Sequence, residues 1–383
     1  MEKRKMEKLG IETSLLGFGC MRFPVTKDGG IDEPEAEKML DKAIAAGVNY
    51  IDTAYPYHGG KSEPFVGKVL KKYPRDSFYL ATKLPCWSVQ EKEDADRLFQ
   101  EQLDRLQTDY IDFYLLHALN RGSFRKMAEL GVVARLEELK AEGKIKNLGF
   151  SFHDNYEAFE EILNYRDWDF CQIQLNYMDA AEKEEFQQAG MKGYFLAEKK
   201  QVPLIIMEPV KGGSLASFPE DITNMFRSLD PSASMASFAL RWVGSLPNVK
   251  VVLSGMSTME QVEDNLKTFG QFVPLSDEEK ATIDRVVALI NSRIQNGCTG
   301  CSYCMPCPAG VNIPQNFRIW NVYHMYRNYN MVRDRWENGV GEEHKAKNCI
   351  KCGKCEQACP QKLSIRQDLE KVQADLDRKE FVL

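Results

Sequence analysis

Several features that define large classes of proteins are missing from this 383-residue sequence. It has no stretch of about 20 apolar residues, the length that a helix needs to cross a bilayer, and no apolar run follows the charged residues 1–5 as it would in a secretory signal. Basic residues are not in excess, since the net charge is −6, which argues against nucleic acid as the main partner. We therefore expect a cytoplasmic globular protein that binds neither a membrane nor nucleic acid.

Cysteine is scarce over most of the chain and concentrated near its end. The first 290 residues contain only Cys20, Cys86 and Cys171, which we expect to be packed thiols. The other cysteines form two runs, each followed by a proline: Cys298, Cys301, Cys304 and Cys307, then Cys349, Cys352, Cys355 and Cys359. In a reducing cytosol such clusters are more often metal ligands than disulfides.

The spacing of the second run predicts iron–sulfur clusters. Two residues separate each of its first three cysteines and three precede Cys359, which is the bacterial ferredoxin spacing. In that pattern three cysteines bind one [4Fe-4S] cluster and the fourth binds another, so two runs predict two clusters. The first cluster would take Cys298, Cys301 and Cys304 with Cys359, and the second would take Cys349, Cys352 and Cys355 with Cys307.

Two observations leave alternatives open for these cysteines. The first run has two residues rather than three before Cys307, so its fourth ligand could differ or one cluster could be absent. Zinc is the other candidate, because Cys-x2-Cys pairs also form structural sites with four thiolates. Lysines 345, 347, 351 and 354 surround the second run and could dock an acidic electron donor, although charges in this pattern usually form a solvated face.

The first 290 residues alternate between short strand-like and longer helix-like segments. Eight β-rich segments are predicted at 15–18, 50–52, 78–83, 111–116, 145–150, 170–175, 204–207 and 249–253. Amphipathic helices are predicted between and after them at 34–46, 94–106, 124–142, 156–164, 234–243 and 259–269. Eight strands, each followed by a helix, predict an α/β fold, the (β/α)8 TIM barrel, with a hairpin before residue 15 at its bottom.

A change of composition near 291–297 predicts a second domain. A polar helix at 276–290 ends the barrel, and beyond it come the cysteines, prolines and an aromatic helical segment at 317–329. We expect domain 1–290 to be the barrel. Domain 291–383 is expected to be a small, mainly α-helical, ferredoxin-like domain.

Polar residues stand where three predicted strands end, and barrel enzymes carry their reacting groups at those ends. Asp52 ends the second strand, with Tyr57 five residues later, and the next two strands end at Lys83 and His117. A nearby ammonium stabilises phenolate and lowers a tyrosine pKa, while a carboxylate holds the lysine in place. A histidine can bond a carbonyl oxygen. Together these residues suit a tuned general acid that protonates an oxyanion as hydride reaches carbon.

The order of these residues resembles that of the aldo-keto reductase superfamily. The resemblance is carried by the runs Leu16-Gly17-Phe18-Gly19-Cys20-Met21, Gly47-Val48-Asn49-Tyr50-Ile51-Asp52-Thr53-Ala54-Tyr55-Pro56-Tyr57, Ser62-Glu63 and Gly149-Phe150-Ser151, with Lys83 and His117 in step. The whole chain is similar to the members with a C-terminal ferredoxin-like dicluster domain. The resemblance implies an NAD(P)-dependent oxidoreductase that reduces a carbonyl to an alcohol, or the reverse. Tyr57 would be its acid, Lys83 and Asp52 would tune that acid, and His117 would orient the substrate.

The same resemblance implies that NAD(P)H binds without a Gly-x-Gly-x-x-Gly loop, which this sequence lacks. Ser151 and Gln172 would hold the nicotinamide amide, and Met207 stands where an aromatic ring usually stacks. The phosphates and adenosine would face Gly255, Ser257, Gln261 and Asn265 at the start of the last barrel helix. Gln261 stands where enzymes that prefer NADPH often place arginine, for which Lys211 or Arg241 could substitute.

The pairing of a nicotinamide with iron–sulfur clusters leaves the role of the tail open. Nicotinamide transfers two electrons at once and a cubane cluster transfers one, yet no flavin motif links them in this sequence. One alternative is an electron-transfer protein that uses the clusters with a flavin or a partner flavoprotein. Another is a metal-bound tail that is only structural. The expected partners are a small carbonyl or alcohol substrate and a possible redox protein.

Overall fold

The computed structural model of the chain describes residues 1–180 and 188–381. Its contacts separate two compact units, Met1–Gly212 with Ser237–Leu275, and Gly213–Ala236 with Ser276–Leu383. The first unit is thus interrupted by a segment that belongs to the second. The domain boundary predicted from the sequence, between 290 and 291, stays a prediction.

The described residues form ten strands and fourteen α-helices. The strands are β1 (Lys3–Met6), β2 (Ile11–Ser14), β3 (Leu16–Gly19), β4 (Tyr50–Asp52), β5 (Tyr79–Leu84), β6 (Ile111–Leu119), β7 (Ile145–Phe152), β8 (Phe170–Gln174), β9 (Leu204–Met207) and β10 (Val249–Gly255). The helices are α1 (Glu33–Ala45), α2 (Ser62–Leu70), α3 (Glu93–Leu106), α4 (Arg121–Glu129), α5 (Val132–Ala141), α6 (Tyr156–Tyr165), α7 (Gly190–Lys199), α8 (Glu220–Arg227), α9 (Met235–Gly244), α10 (Met259–Gly270), α11 (Asp277–Ser292), α12 (Ile313–Tyr326), α13 (Lys354–Ala358) and α14 (Ile365–Arg378).

Strands β3 to β10 close into a parallel barrel, which confirms the predicted TIM barrel. Neighbours in the chain are neighbours in the barrel, and β10 pairs with β3 to complete the ring. The predicted hairpin is also present: β1 and β2 pair antiparallel across the turn at Gly10, whose φ of 66° suits glycine. Met6 of this hairpin is fully buried in the cluster of side chains that fills the barrel interior.

One helix that the sequence predicts as continuous is divided into two in the structure. The sequence pattern predicts a single helix over 124–142, whereas the structure has α4 and α5 with Gly131 between them. Gly131 has a φ of 72°, in the left-handed region that ends a helix, and a periodicity of apolar residues cannot detect that change of direction.

Alternation along the strands decides which side chains enter the barrel. Residues that share one face of a strand are two apart, so Tyr50 points inward with Asp52, and Ala81 points inward with Lys83. Tyr50, Ala81 and Leu115 lie in the interior cluster, whereas Ile51, Leu80 and Leu116 lie in the core between the barrel and its helices. The barrel interior is therefore apolar toward the amino ends of the strands and carries ionisable groups at their carboxyl ends.

The second unit has a separate core built on α12 and α14. Phe317, Trp320 and Tyr323 of α12 are buried with Leu369 and Val372 of α14, and the cysteine runs pack around the edge of this cluster. Trp320 Nε1 donates to Asp375 Oδ2 at 2.8 Å, which satisfies the buried indole.

Across the two described ranges, no helix combines the length and apolar character needed to cross a membrane.

Candidate active site and cysteine-lined cavities

The four residues predicted for acid catalysis meet at the carboxyl end of the barrel. Lys83 Nζ donates to both carboxylate oxygens of Asp52, at 2.8 and 2.7 Å, and to the backbone oxygen of Thr53 at 2.7 Å. Lys83 is 1% exposed and Asp52 3% exposed. A buried ammonium and a buried carboxylate each require a partner, and here each satisfies the other. The two oxygens of Asp52 and the backbone oxygen of Thr53 provide one acceptor for each of the three ammonium hydrogens.

Tyr57 lies next to this ion pair. Its hydroxyl is 3.5 Å from Lys83 Nζ, and the same nitrogen lies 5.1 Å from the centre of its ring. Burial raises the pKa of Tyr57 above its ordinary value; Lys83 opposes that rise and the charge of Asp52 adds to it. The sequence-based expectation of a lowered tyrosine pKa is therefore wrong for the net effect, because loss of solvent outweighs the ammonium. At neutral pH Tyr57 carries its proton.

The charge state of Lys83 follows from the same environment. Burial, the largest single effect, lowers the pKa of Lys83, but the charges of Asp52 and Tyr57 and their hydrogen bonds together outweigh burial, so the net pKa is raised. Lys83 is thus an ammonium throughout the physiological range. Its orientation is fixed by Asp52 and Thr53, so its positive charge stays beside the Tyr57 hydroxyl.

His117 faces Tyr57 from β6. The two ring centres are 6.1 Å apart in an edge-on arrangement, and the ring of Trp87 lies 5.0 Å from His117 on another side. Burial lowers the pKa of His117 well below its ordinary value, and Lys83 and His153 lower it further, so the imidazole is neutral. Within the described residues its Nδ1 has no hydrogen-bond partner. His117 can therefore bond a substrate oxygen without carrying charge.

Two further residues border this site, and sequence reasoning gave one of them, His153, no role. His153 follows the end of β7 and makes a small contribution to the lowered pKa of His117, and Trp87, which is 52% exposed, borders the His117 ring. The signal for both was position: each lies just past a barrel strand, where side chains reach the mouth. Neither has a sequence spacing that sets it apart from an ordinary loop residue.

A buried carboxylate, Glu63, holds the elements of this site together. Its Oε1 accepts from Thr82 Oγ1 and Gln102 Nε2, both at 2.6 Å, and Gln102 Nε2 also reaches the backbone oxygen of Lys83 at 3.0 Å. Arg105 completes the set at 3.3 Å from Glu63 Oε2. Burial raises the pKa of Glu63, and its contacts with Thr82, Gln102 and Arg105 lower it without cancelling that rise. Glu63 thus joins α2, which follows the Tyr57 loop, to the strand that carries Lys83.

The residues expected to bind the nicotinamide amide show one open polar atom. In the described residues, buried Gln172 Oε1 has no partner, while Gln172 Nε2 lies 3.3 Å from the sulfur of Met207. Ser151 Oγ accepts from the Ala118 backbone nitrogen at 2.8 Å, so its own hydrogen stays available. An amide group provides the N–H that Gln172 Oε1 needs, and these residues therefore fit a nicotinamide.

The residues expected at the phosphates and adenosine lie at the end of β10, in the loop that follows it and in the first turns of α10. Gln261 Oε1 accepts from the Ser257 backbone nitrogen at 2.7 Å, so the Gln261 side chain folds back onto the loop. Asn265 is buried and donates to Ser254 Oγ at 2.8 Å. Gly255, at the end of β10, has no side chain, and this lets the Arg22 side chain approach its backbone closely. This arrangement fits a phosphate at the start of α10, where backbone N–H groups point outward.

The two basic residues suggested as substitutes at this loop are engaged elsewhere. Lys211 forms an ion pair with Asp179, and Arg241 Nε donates to the backbone oxygen of Val273 at 2.8 Å. Val273 lies beyond the carboxyl end of α10, a helix of 12 residues and so about 18 Å long. Arg241 is therefore not brought to the start of α10.

Two cavities in the second unit divide the clustered cysteines. One is lined by Cys307, Cys349, Cys352 and Cys355, with Cys304 at its edge. The other is lined by Cys298, Cys301, Cys304 and Cys359. The fourth cysteine of each run therefore lies with the first three of the other run, which is the crossed arrangement that ferredoxin spacing predicts.

The thiols around these cavities are spread apart. A tetrahedral zinc site with Zn–S bonds of 2.3 Å places its sulfur atoms about 3.8 Å from one another. Among the described residues, which include all eight of these cysteines, no three metal-binding side chains converge on one point in this way. A cubane cluster binds its four thiolates at separate iron atoms, so it needs a wider spacing of the sulfur atoms than a zinc ion does. By contrast, Cys20, Cys86 and Cys171 are buried packed thiols, as expected.

Comparisons with known proteins place both parts of the chain. Residues 15–288 match the model of the aldo/keto reductase family, and residues 297–363 match that of the 4Fe-4S dicluster domain. The NADH-specific methylglyoxal reductase of Escherichia coli is 28% identical, over 74% of this chain and 95% of its own length. L-galactose dehydrogenase of Arabidopsis thaliana is 27% identical, over 76% and 94%. The holo form of aldo-keto reductase AKR11C1 from Bacillus halodurans superposes with a TM-score of 0.62 at 28% identity, covering 74% of this chain and 96% of that one.

Replacing Glu63 tests the network behind the site. We expect Glu63→Gln to lower the free energy of unfolding by about 1–3 kcal/mol, because an amide would direct N–H groups at donors that now need an acceptor. Glu101→Gln is the matched control, since Glu101 also binds Arg105 but is far more exposed, and its loss should cost less than about 1 kcal/mol. Chemical denaturation of the full chain measures both. Equal effects from the two variants would contradict the role given to Glu63.

Proposed function

This chain belongs to the aldo-keto reductase family, and from that premise we propose that it reduces a small carbonyl compound to an alcohol, or oxidises the alcohol, with Tyr57 as the acid. The observation that carries the proposal is the position of the Tyr57 hydroxyl, 3.5 Å from an ammonium that Asp52 holds in place. The activities named for two relatives, a methylglyoxal reductase and an L-galactose dehydrogenase, support a small oxygen-rich substrate.

The nicotinamide cofactor, when bound, would supply or accept the hydride at the carbonyl carbon. The chain's own residues would then manage the oxygen. His117, being neutral, would direct the carbonyl oxygen toward Tyr57, and Tyr57 would give its proton to the oxyanion. Lys83 would stabilise the phenolate that this transfer leaves behind, and Asp52 would keep Lys83 in place. Proton return to Tyr57 from solvent would complete the cycle.

The raised pKa of Tyr57 is compatible with this role. A tyrosine that holds its proton firmly is ready to donate at neutral pH, and the cost of donation is met when charge develops on the substrate oxygen. Lys83 acts mainly on the phenolate, that is, on the state after transfer. Its contribution is therefore larger in the transition state than in the resting enzyme.

We further propose that the eight clustered cysteines hold two [4Fe-4S] clusters, one at each cavity. Each cluster, when bound, would exchange one electron at a time. One cysteine lining each cavity is exposed, Cys301 in one and Cys352 in the other. This exposure supports exchange with a redox partner protein at the surface. A purely structural tail is the alternative.

Removal of the Tyr57 hydroxyl is the direct test of the acid. We expect Tyr57→Phe to lower kcat for aldehyde reduction by at least about 100-fold, while the Kd for NADH changes little, because only the proton donor is lost. Tyr55→Phe is the matched control, since the Tyr55 hydroxyl donates to Glu101 Oε1 at 3.2 Å and makes no hydrogen bond to Lys83 or Asp52 among the described residues. A screen of small aldehydes beginning with methylglyoxal supplies the assay. Substantial turnover by Tyr57→Phe would refute the assignment.

The pH profile offers a second test. Reduction requires neutral His117 and protonated Tyr57. The His117 pKa lies well below its ordinary value and the Tyr57 pKa lies above its own, so activity is lost only as pH falls through the first or rises through the second. We therefore expect kcat/KM for reduction to be flat from about pH 6 to about pH 9. A step near pH 6.5 would show that His117 titrates as an ordinary imidazole.

The cluster proposal is checked by metal analysis of protein purified without oxygen. We expect about eight iron atoms and eight sulfides per chain, with about half lost in Cys359→Ser and in Cys307→Ser. Cys171→Ala, which alters a buried thiol of the barrel, should leave the iron content unchanged. Zinc in place of iron, or about four iron atoms in the unaltered chain, would contradict two [4Fe-4S] clusters.

A further inference from the structure

The short turn after β3 carries one basic side chain, Arg22, against the loop between β10 and α10. The turn spans Cys20–Arg22, and Ser257 Oγ donates to the Arg22 backbone oxygen at 2.8 Å. A Cβ added to Gly255 would lie 2.7 Å from Arg22 Cγ and 3.0 Å from Arg22 Cβ. The stem of Arg22 therefore lies directly on Gly255, and only glycine at that position allows it to do so.

Among the residues that the structure describes, Arg22 forms no ion pair. Its side chain is exposed, and across residues 1–180 and 188–381 no carboxylate lies within ion-pair distance of its guanidinium. The other basic residues suggested for this end of the barrel, Lys211 and Arg241, are bound to Asp179 and to the Val273 backbone oxygen. Arg22 is thus the cation among these three that remains available to an anion.

A second source of positive potential lies beside Arg22. Helix α10 begins at Met259, and its N-cap Thr258 accepts a hydrogen bond from the Gln261 backbone nitrogen. The remaining N–H groups of the first turn, together with the helix dipole, favour an anion at this end. Because Ser257 bonds both Arg22 and Gln261, the turn and the helix start are held together as one surface.

The position of the surface formed by the Cys20–Arg22 turn and the start of α10 indicates which part of a dinucleotide would contact it. The open oxygen of Gln172 marks the nicotinamide end, inside the barrel mouth, and Gln261 and Asn265 mark the adenosine end on α10. Gly255 ends β10, which is separated by β9 from the strand that carries Gln172 and which leads directly into α10. The group midway along NADH or NADPH is the pyrophosphate, which is common to both cofactors.

We infer that Arg22 binds the cofactor pyrophosphate, with its stem held on Gly255 and its guanidinium beside the start of α10. This inference rests on the proposed function, because it requires that a nicotinamide dinucleotide binds. A guanidinium pairs with phosphate oxygens through two parallel N–H bonds, which a folded-back glutamine at position 261 cannot supply. Since Arg22 meets the pyrophosphate and not the 2′-phosphate, it serves NADH and NADPH equally.

The test is cofactor binding by the full chain, measured by fluorescence titration without substrate. We expect Arg22→Ala to raise the Kd of NADH and of NADPH by the same factor, at least about 10-fold, and to make both affinities less sensitive to salt. Arg22→Lys should retain part of the affinity. Gly255→Ala, which displaces the Arg22 stem, should weaken both cofactors as Arg22→Ala does. Lys27→Ala is the matched control, because it removes an exposed positive charge five residues further along.

The outcomes separate cleanly. Loss confined to NADPH would overturn the pyrophosphate assignment in favour of the 2′-phosphate, and an unchanged Kd for both cofactors in Arg22→Ala would overturn any role for Arg22. Equal weakening by Lys27→Ala would reduce the effect to net charge and would also overturn it. If the unaltered chain binds neither cofactor, the proposed function fails instead. Circular dichroism of each variant confirms that the fold is retained.

Discussion

The ion pair between Lys83 and Asp52 is the interaction on which the barrel site depends. An ammonium that is 1% exposed would be strongly unfavourable without a partner, and the carboxylate beside it would be equally so. The closed barrel brings both to one layer, because each lies two residues beyond an inward-facing apolar side chain of its strand. The pair fixes a positive charge in a water-poor space, and the neighbouring tyrosine and histidine take their protonation states from that space.

The surrounding polar network extends this constraint to the backbone. Glu63, Thr82 and Gln102 link the Lys83 backbone to α2, and Thr53, which accepts from Lys83, also shares a hydrogen bond with Ser62 through their hydroxyls at 2.9 Å. The side chains that make these contacts are fully buried. They determine how accurately the loop with Tyr57 is placed, since a flexible loop alone would not keep a hydroxyl within hydrogen-bonding reach of Lys83.

The second unit depends on a different set of contacts, those of its own core and its cysteines. Its core of α12 and α14 is small. The two cysteine runs pack at the border of this core and are far apart in the sequence. If clusters bind as proposed, the fourth cysteine of each run would link segments that are about 50 residues apart, and this link would lower the entropy of the unfolded chain. The clusters proposed here would therefore stabilise the unit as well as carry electrons.

The sequence by itself determined the strand order, the barrel and which polar side chains stand at the ends of its strands, because alternation of apolar residues and polar strand ends are local patterns. It also determined the division of the cysteines, since ligand spacing is written in the chain. Only the tertiary structure decided the net pKa of Tyr57, the break at Gly131 and the partners of Lys211 and Arg241. It alone placed Arg22 on Gly255, residues 233 positions apart. Burial and long-range contact arise when distant segments meet, and no local pattern records how much solvent a side chain loses in that meeting.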